Sequence, residues 1–447
     1  MKSIVFLLIS LLACIIPGQT PAQIDRISVA SSGQQAAGDS YQSAVSSDGT
    51  VVAFRSNAAN LVPGDTNEWP DIFVRDLTTN STERVSLTET GAQTSSYSKA
   101  PSISGDGQIV AYEGRYGRGV VTVFVHDRSS STNVSIVPDT LGTQAIAPAQ
   151  GRVDPVISGD GSIVAFQTDS TLQNAFPEQI RPVNDDLDTD PDVFLYDLQT
   201  IPTPAIRRVS RLSNGDSLDA DNRNPTLSTD GRFIAFESFS DLLADDSNND
   251  ADILHKDRQS GLLQLVSATP AGTSGNGTSL EPALSADGSL VAFRSSASDL
   301  VAGDSNDRLD IFVRDLSSGT TELVSVASGG SQADQNSFEP DLSGDGRYVV
   351  FRSNASNLVL ADLNQRTDIF VRDRDRGLTQ RVGQPSGGES NGNSTNPSIS
   401  EDGRWIVFES DASNLVAGDS NRARDIFRAE NPLFEATRSG EHGADHE

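Results

Sequence analysis

An Asp-Gly pair flanked by short apolar runs recurs seven times, at Asp48-Gly49, Asp106-Gly107, Asp160-Gly161, Asp230-Gly231, Asp287-Gly288, Asp345-Gly346 and Asp402-Gly403. Successive spacings are 58, 54, 70, 57, 58 and 57 residues, and the long third interval contains an insertion. A period of this size restricts the chain to architectures that stack one structural unit many times. Each pair sits in a segment such as Pro101-Ser102-Ile103-Ser104-Gly105-Asp106-Gly107-Gln108-Ile109-Val110-Ala111-Tyr112. Alternating apolar residues around a tight turn predict a β-hairpin. The positive backbone angles expected of such a turn suit Gly and are tolerated by Asp, so the pair needs no chemical role.

A second hairpin follows in each unit. Its first strand reads Asp71-Ile72-Phe73-Val74-Arg75-Asp76 or Asp310-Ile311-Phe312-Val313-Arg314-Asp315, and its second reads Arg84-Val85-Ser86-Leu87 or Leu323-Val324-Ser325-Val326. Four short strands per unit, seven times over, predict an all-β, seven-bladed β-propeller of four-stranded antiparallel blades. The last unit lacks an outer strand, and Arg26-Ile27-Ser28-Val29-Ala30 supplies that pattern at the start of the chain. Pairing this N-terminal strand into the last blade closes the ring and removes the open edge. The domain plan is residues 1–22 as an export signal, 23–434 as the propeller, and 435–447 as a disordered acidic tail.

The unit Pro-x-[Ile/Leu]-Ser-x-Asp-Gly-x-x-[Val/Ile]-[Ala/Val]-[Phe/Tyr] resembles the WD40-like, PD40-type repeats of TolB-type periplasmic propellers, over the mature chain up to about Phe427. The resemblance implies the propeller fold and says much less about function. In that family a Pro is common before Asp-Gly, whereas this chain has Ser47, Gly105, Gly159, Thr229, Ala286, Gly344 and Glu401 there. Between the export signal and the first repeat there is no room for the N-terminal α/β domain of TolB, so neither its partner nor its envelope role is carried over.

Lys+Arg number 33 against Asp+Glu 62, a formal net charge of -29. That balance argues against nucleic acid or an anionic membrane surface as partner. Lys2, the apolar stretch Ile4–Ile16, the break at Pro17-Gly18 and the small residues Thr20-Pro21-Ala22 read as an export signal. No other stretch reaches the ~20 apolar residues of a transmembrane span. The expected location is periplasmic or extracellular, as a monomer. Cys14, the only cysteine, lies in a loose lipoprotein-type box, and a lipid anchor there is the alternative. With cleavage near Ala22 no thiol survives, which excludes disulfides and cysteine chemistry.

The loop between the second and third strands carries Asp-x-[Asn/Asp]-x-x-x-Asp in six of seven units. The sets are Asp65, Asn67, Asp71; Asp186, Asp188, Asp192; Asp246, Asn248, Asp252; Asp304, Asn306, Asp310; Asp362, Asn364, Asp368; and Asp419, Asn421, Asp425. Oxygen side chains at positions 1, 3 and 7 of one loop suit a hard cation, making structural Ca2+ the candidate cofactor. The competing reading is that Asp and Asn fold the loop through their own hydrogen bonds to the backbone. The second unit has Arg115-Tyr116-Gly117-Arg118 instead, and the third has an insertion, Leu172 to Asp185, with Phe176 and Arg181. Arg115, Tyr116, Arg118, Phe176 and Arg181 are therefore the candidate ligand-binding residues, since they break the repeat symmetry with basic and aromatic groups.

No catalytic residue is assigned. His126 and His255 occupy a repeat position that is Arg or Tyr elsewhere, which marks them as surface or inter-blade contacts, and no Gly-x-Ser-x-Gly elbow occurs. The functional expectation is an exported, non-catalytic binding or scaffold module for a protein or glycan. The alternative is a polysaccharide hydrolase or lyase with its site on the central loop face.

Overall fold

The computed structural model describes residues 23–116, 120–136, 153–168, 190–199, 206–212, 218, 220–240, 243, 245–246, 248–385 and 388–435. The export segment 1–22, residues 436–447 of the tail and the insertion 172–185 lie outside them. The described residues form 28 strands, β1 to β28, in seven four-stranded antiparallel sheets, with no helix among them. Blade 1 shows the pattern. Its strands, from the centre outward, are β2 (Ser40–Val45), β3 (Val51–Ser56), β4 (Asp71–Asp76) and β5 (Ser81–Arg84). Blade 7 has β26 (Ser394–Ile399), β27 (Trp405–Ser410) and β28 (Asp425–Glu430), with β1 (Ile24–Arg26) as its fourth strand. The ring thus closes through the N-terminal strand, with Ile24 opposite Ala429 and Arg26 opposite Phe427.

The closing strand lies two residues earlier than its Val-Ser pattern suggests. Ile27 still donates its N–H to Ile426 O at 2.8 Å, but Ser28 has left the ladder and its hydroxyl donates to Asp425 Oδ1 at 2.5 Å. Blade 1 does the same. The Ser86 hydroxyl receives the Ile72 N–H at 3.0 Å and donates to Asp71 Oδ1 at 2.5 Å. The hydroxyl substitutes for a ladder carbonyl, so the chain can turn away without leaving a buried donor unpaired.

The Asp-Gly turns also differ from expectation. Only the glycine takes a positive φ, as in Gly49 (+73°) and Gly346 (+68°). The aspartate works through its side chain: Asp48 Oδ1 accepts from Ser46 Oγ at 2.8 Å and from Thr50 N at 3.0 Å. The glycine is also needed for space. A Cβ on Gly346 would stand 2.1 Å from Leu290 of the preceding blade, and one on Gly49 would strike Trp405 of blade 7.

The apolar cores lie between blades. Phe54 and Phe73 of blade 1 pack with Val407 and Ile426 of blade 7 on one face, while Val51, Ala53, Ile72 and Val74 pack with Val110, Tyr112 and Phe124 of blade 2 on the other. Seven such clusters serve seven interfaces. At the centre, the residues before Asp-Gly form a closed circle of backbone hydrogen bonds. Ser47 N donates to Gly105 O, Gly105 N to Gly159 O, Asp160 N to Thr229 O, Thr229 N to Ala286 O, Ala286 N to Gly344 O, Gly344 N to Glu401 O, and Asp402 N to Ser47 O, at 2.7–3.1 Å. Five of these donors occupy the position where the resembling family commonly has proline, which has no N–H to give. Replacing Ala286 by Pro should therefore cost about 1–3 kcal/mol or more by orphaning Gly344 O, whereas Ala286→Ser should be nearly neutral, as read by urea denaturation.

Candidate functional site

The inner strands surround a channel of about 220 Å³ walled by one branched apolar side chain per blade, from Val45 to Ile399. Its Asp-Gly end is narrowed by the hydrogen-bonded circle and crossed by Glu401, whose carboxylate accepts from Thr229 Oγ1 at 2.5 Å and from Ser47 Oγ. One blade 7 side chain thus ties blades 1 and 4. Asp341 faces the same channel, accepting from Ile399 N at 2.9 Å and Ser398 Oγ at 3.1 Å, and burial pushes its carboxyl up to about 6.

The opposite mouth is built by an irregularity shared by the inner strands. Tyr41 and Ala44 bracket a β-bulge whose Gln42 has φ +50°, and the equivalents Ala100, Asp154, Asn224, Glu281, Glu339 and Asn396 also have positive φ. The motif's proline (Pro101, Pro155, Pro225, Pro282, Pro340, Pro397) follows at once in blades 2 to 7, tolerated because this is an edge strand at a bulge. The bulge turns an N–H away from the ladder, and a side chain of the preceding blade takes it up. Gln42 N donates to Glu409 Oε1 at 2.6 Å, Glu281 N to Glu237 Oε1 at 2.7 Å, Glu339 N to Glu281 Oε2 and Asn396 N to Glu339 Oε2 at 2.8 Å. Burial raises the carboxyls of Glu237, Glu339 and Glu409 above their ordinary range. These mouth carboxylates are inter-blade ties.

Cations balance most of them: Arg352 lies 2.8 Å from Glu339, Arg294 3.1 Å from Glu281, and Lys99 3.0 Å from Glu113. At the seam of blades 7 and 1, Tyr41, Gln42, Arg55, Asn57, Asn396, Glu409 and Arg424 line a cavity of about 380 Å³. Arg424 is committed to Asp411 at 2.8 Å and Glu409 at 3.5 Å. Arg55 has no carboxylate within ion-pair distance among the described residues and stands over the Tyr41 ring at 5.7 Å, with its Nε buried and unbonded. The sequence reading missed this cavity. Its only signal was the residue after the second strand's phenylalanine, which is Arg55 in blade 1 and Glu409 in blade 7.

Of the symmetry-breaking candidates, Arg115 is exposed on β7 (Ile109–Tyr116), with its guanidinium 4.8 Å from the Tyr97 ring and a 3.0 Å hydrogen bond to Tyr97 OH. Tyr116 pairs with Val120 at the end of that lengthened hairpin. Arg118, Phe176 and Arg181 lie outside the described residues, as do Asp186 and Asp188 of the third acidic loop. The two histidines are buried rather than on the surface. His255 stacks on Phe233 at 5.2 Å, and burial lowers its pKa to about 4.

The acidic loops hold an arginine that sequence reading had not connected with them. In blade 1, Arg84 Nη1 lies 3.3 Å from Asp65 and 3.6 Å from Asp71. Arg381 sits 3.0 Å from Asp362 and 3.2 Å from Asp368, Arg26 lies 3.1 Å from Asp419 and 3.5 Å from Asp425, and Arg208 is 2.7 Å from Asp192. The asparagine is structural too: Asn67 Nδ2 donates to Asp71 Oδ2 at 3.2 Å, and Asn67 Oδ1 accepts the Trp69 N–H at 2.9 Å. Loops of blades 1, 6 and 7 thus fold around a guanidinium. In blades 4 and 5 the arginine is replaced by Leu265 and Leu323. Among the described residues, no group of three or more His, Cys, Asp or Glu side chains is placed to hold a metal ion.

No family model matches the chain, and no curated protein does. Solved structures do. The chain is similar to oligogalacturonate lyase from Vibrio parahaemolyticus (13% identity, 93% of this chain and 98% of that one, TM-score 0.53) and to the β-propeller domain of the trilobed protease from Pyrococcus furiosus (10%, 89% and 98%, TM-score 0.52). TolB from Acinetobacter baumannii matches at 17% identity with a TM-score of 0.37, and the chain spans 53% of its length while matching over 64% of its own. At these identities the likeness establishes the β-propeller fold.

Two outcomes follow from the site. Arg381→Leu should destabilise the protein by about 3–5 kcal/mol, because it leaves Asp362 and Asp368 buried without their cation. The folded protein holds the Asp341 proton up to about pH 6, whereas the unfolded chain releases it near its ordinary value of 3.8. That contribution to stability is present below this window and is lost as pH rises through it. Urea midpoints of Asp341→Asn should accordingly fall less between pH 4 and 6 than those of the unaltered protein.

Proposed function

We propose that the protein is an exported, non-catalytic binding module whose mouth cavity takes a carboxylate-bearing glycan. The observation that carries this reading is Arg55, a partly buried guanidinium without a carboxylate partner, held beside Tyr41 on the wall of a 380 Å³ cavity. A desolvated arginine is a strong anchor for a carboxylate, because each charge-assisted hydrogen bond forms where water competes poorly. Tyr41 offers a ring face, and Asn57 and Asn396 offer amides of both polarities, which is the chemistry that sugar hydroxyls need. The mouth glutamates support binding over turnover, since Glu281, Glu339 and Glu409 each accept a backbone N–H that holds the next blade. Export rests on the apolar leader at residues 4–16.

Titration calorimetry with an acidic oligosaccharide such as oligogalacturonate, and with a neutral oligosaccharide of the same length, tests the reading. Binding of the acidic ligand alone, weakened at least about tenfold by Arg55→Ala, is the expected result. Equal affinity of the two proteins for the acidic ligand would remove Arg55 as the anchor. Appearance of new chain ends during the titration would replace the binding module by a hydrolase or lyase.

A further inference from the structure

The repeats provide an internal comparison at the acidic loop, because the same pair of carboxylates occurs with and without its guanidinium. In blade 5 the pair is Asp304 and Asp310, and Leu323 stands opposite Phe312 where Arg84 and Arg381 stand opposite Phe73 and Phe370. Asp310 is 0% exposed. Its Oδ1 takes the Ser325 hydroxyl at 2.5 Å, and the equivalent serines donate likewise in blades 1, 3, 4 and 7. Its Oδ2, the oxygen that faces the guanidinium in blades 1, 6 and 7, has no hydrogen bond of normal geometry among the described residues. Asn306 gives its Nδ2 to Ala333 O at 3.1 Å. A buried carboxylate oxygen left in this way costs far more than an exposed one, so something positive is needed there.

We propose that the Asp304–Asp310 loop of blade 5 binds a hard divalent cation, of which calcium is the type, in the place a guanidinium fills in blades 1, 6 and 7. The donors are oxygens only, which selects calcium or magnesium over softer metals. Two carboxylates carry the charge that a divalent ion neutralises, and the half-exposed Asp304 leaves one side open for water to complete the coordination shell. Burial and mutual repulsion raise the Asp304 carboxyl above its ordinary range, and burial does the same for Asp310, with Ser325 and Asn306 partly opposing it. Blade 4 meets the same loss of arginine differently: burial and the facing Asp246 push the Asp252 carboxyl up to about 7, so the proton itself lowers the charge of that pair. The site is independent of the mouth cavity, and its test needs no glycan.

Thermal melts of the whole chain with calcium, with magnesium and with chelator provide the test, alongside titration calorimetry with calcium alone. Calcium about 100-fold above Kd should raise Tm by about 3 °C, with one ion bound. Leu323→Arg should abolish the calcium shift while melting, in chelator, at or above the unaltered protein. Asp304→Asn should weaken calcium binding at least about tenfold, and it decides the matter if the arginine variant fails to fold. No calcium binding by the unaltered protein would overturn the assignment, as would an undiminished shift in Leu323→Arg or in Asp304→Asn.

Discussion

A blade of this protein is a sheet with two apolar faces, and among the described residues it is the neighbouring blades that cover them. Phe54 and Phe73 of blade 1 need Val407 and Ile426, while Val51 and Val74 need Val110 and Tyr112. An open row of such sheets would leave two end faces in water. A circle leaves none, and hydrophobic burial around the ring therefore demands closure. The β1–β28 ladder supplies it with residues about 400 positions apart, so the last interface is the one that joins the two ends of the fold. Closure by strand exchange makes blade 7 depend on residues that belong to the start of the sequence.

Closure explains the small residues at the centre. Seven inner strands converge on a circle in which Gly105 and Gly159 have no room for a side chain, since a Cβ on the first would meet Ser47 Oγ at 2.4 Å and one on the second Thr229 at 2.7 Å. Backbone therefore approaches backbone, and the N–H to O=C circle forms. With that end crossed by Glu401, solute reaches the polar cavity from the face bearing the long loops, which is the geometric reason for looking for function there.

The sequence made blade number, strand order and the closing strand legible because these follow from period and alternation, which are local and repeated. Residues whose role depends on which side chains meet in three dimensions were not legible. Asp48 looked like a turn former through its backbone and instead acts through its carboxylate. His255 alternates with arginine along the repeats, yet it is buried against Phe233. The acidic loops were visible as oxygen clusters, but their arginine comes from the outer strand and is separated by 13 residues from Asp71 in blade 1. A signal did exist, because Arg precedes Val-Ser or Ile-Ser in blades 1, 3 and 7 and Leu precedes it in blades 4 and 5.

That alternation carries the physical argument about this chain's charge. A net charge of -29 tends to drive the folded ring apart, most strongly where carboxylates are buried in pairs. The blades answer locally, and in different ways. Arginine from the outer strand neutralises the loops of blades 1, 6 and 7, burial and the facing Asp246 push the Asp252 carboxyl of blade 4 up to about 7, and the Asp310 Oδ2 of blade 5 has no hydrogen bond of normal geometry among the described residues. Duplication copied the loop geometry, whereas the neutralising charge diverged blade by blade.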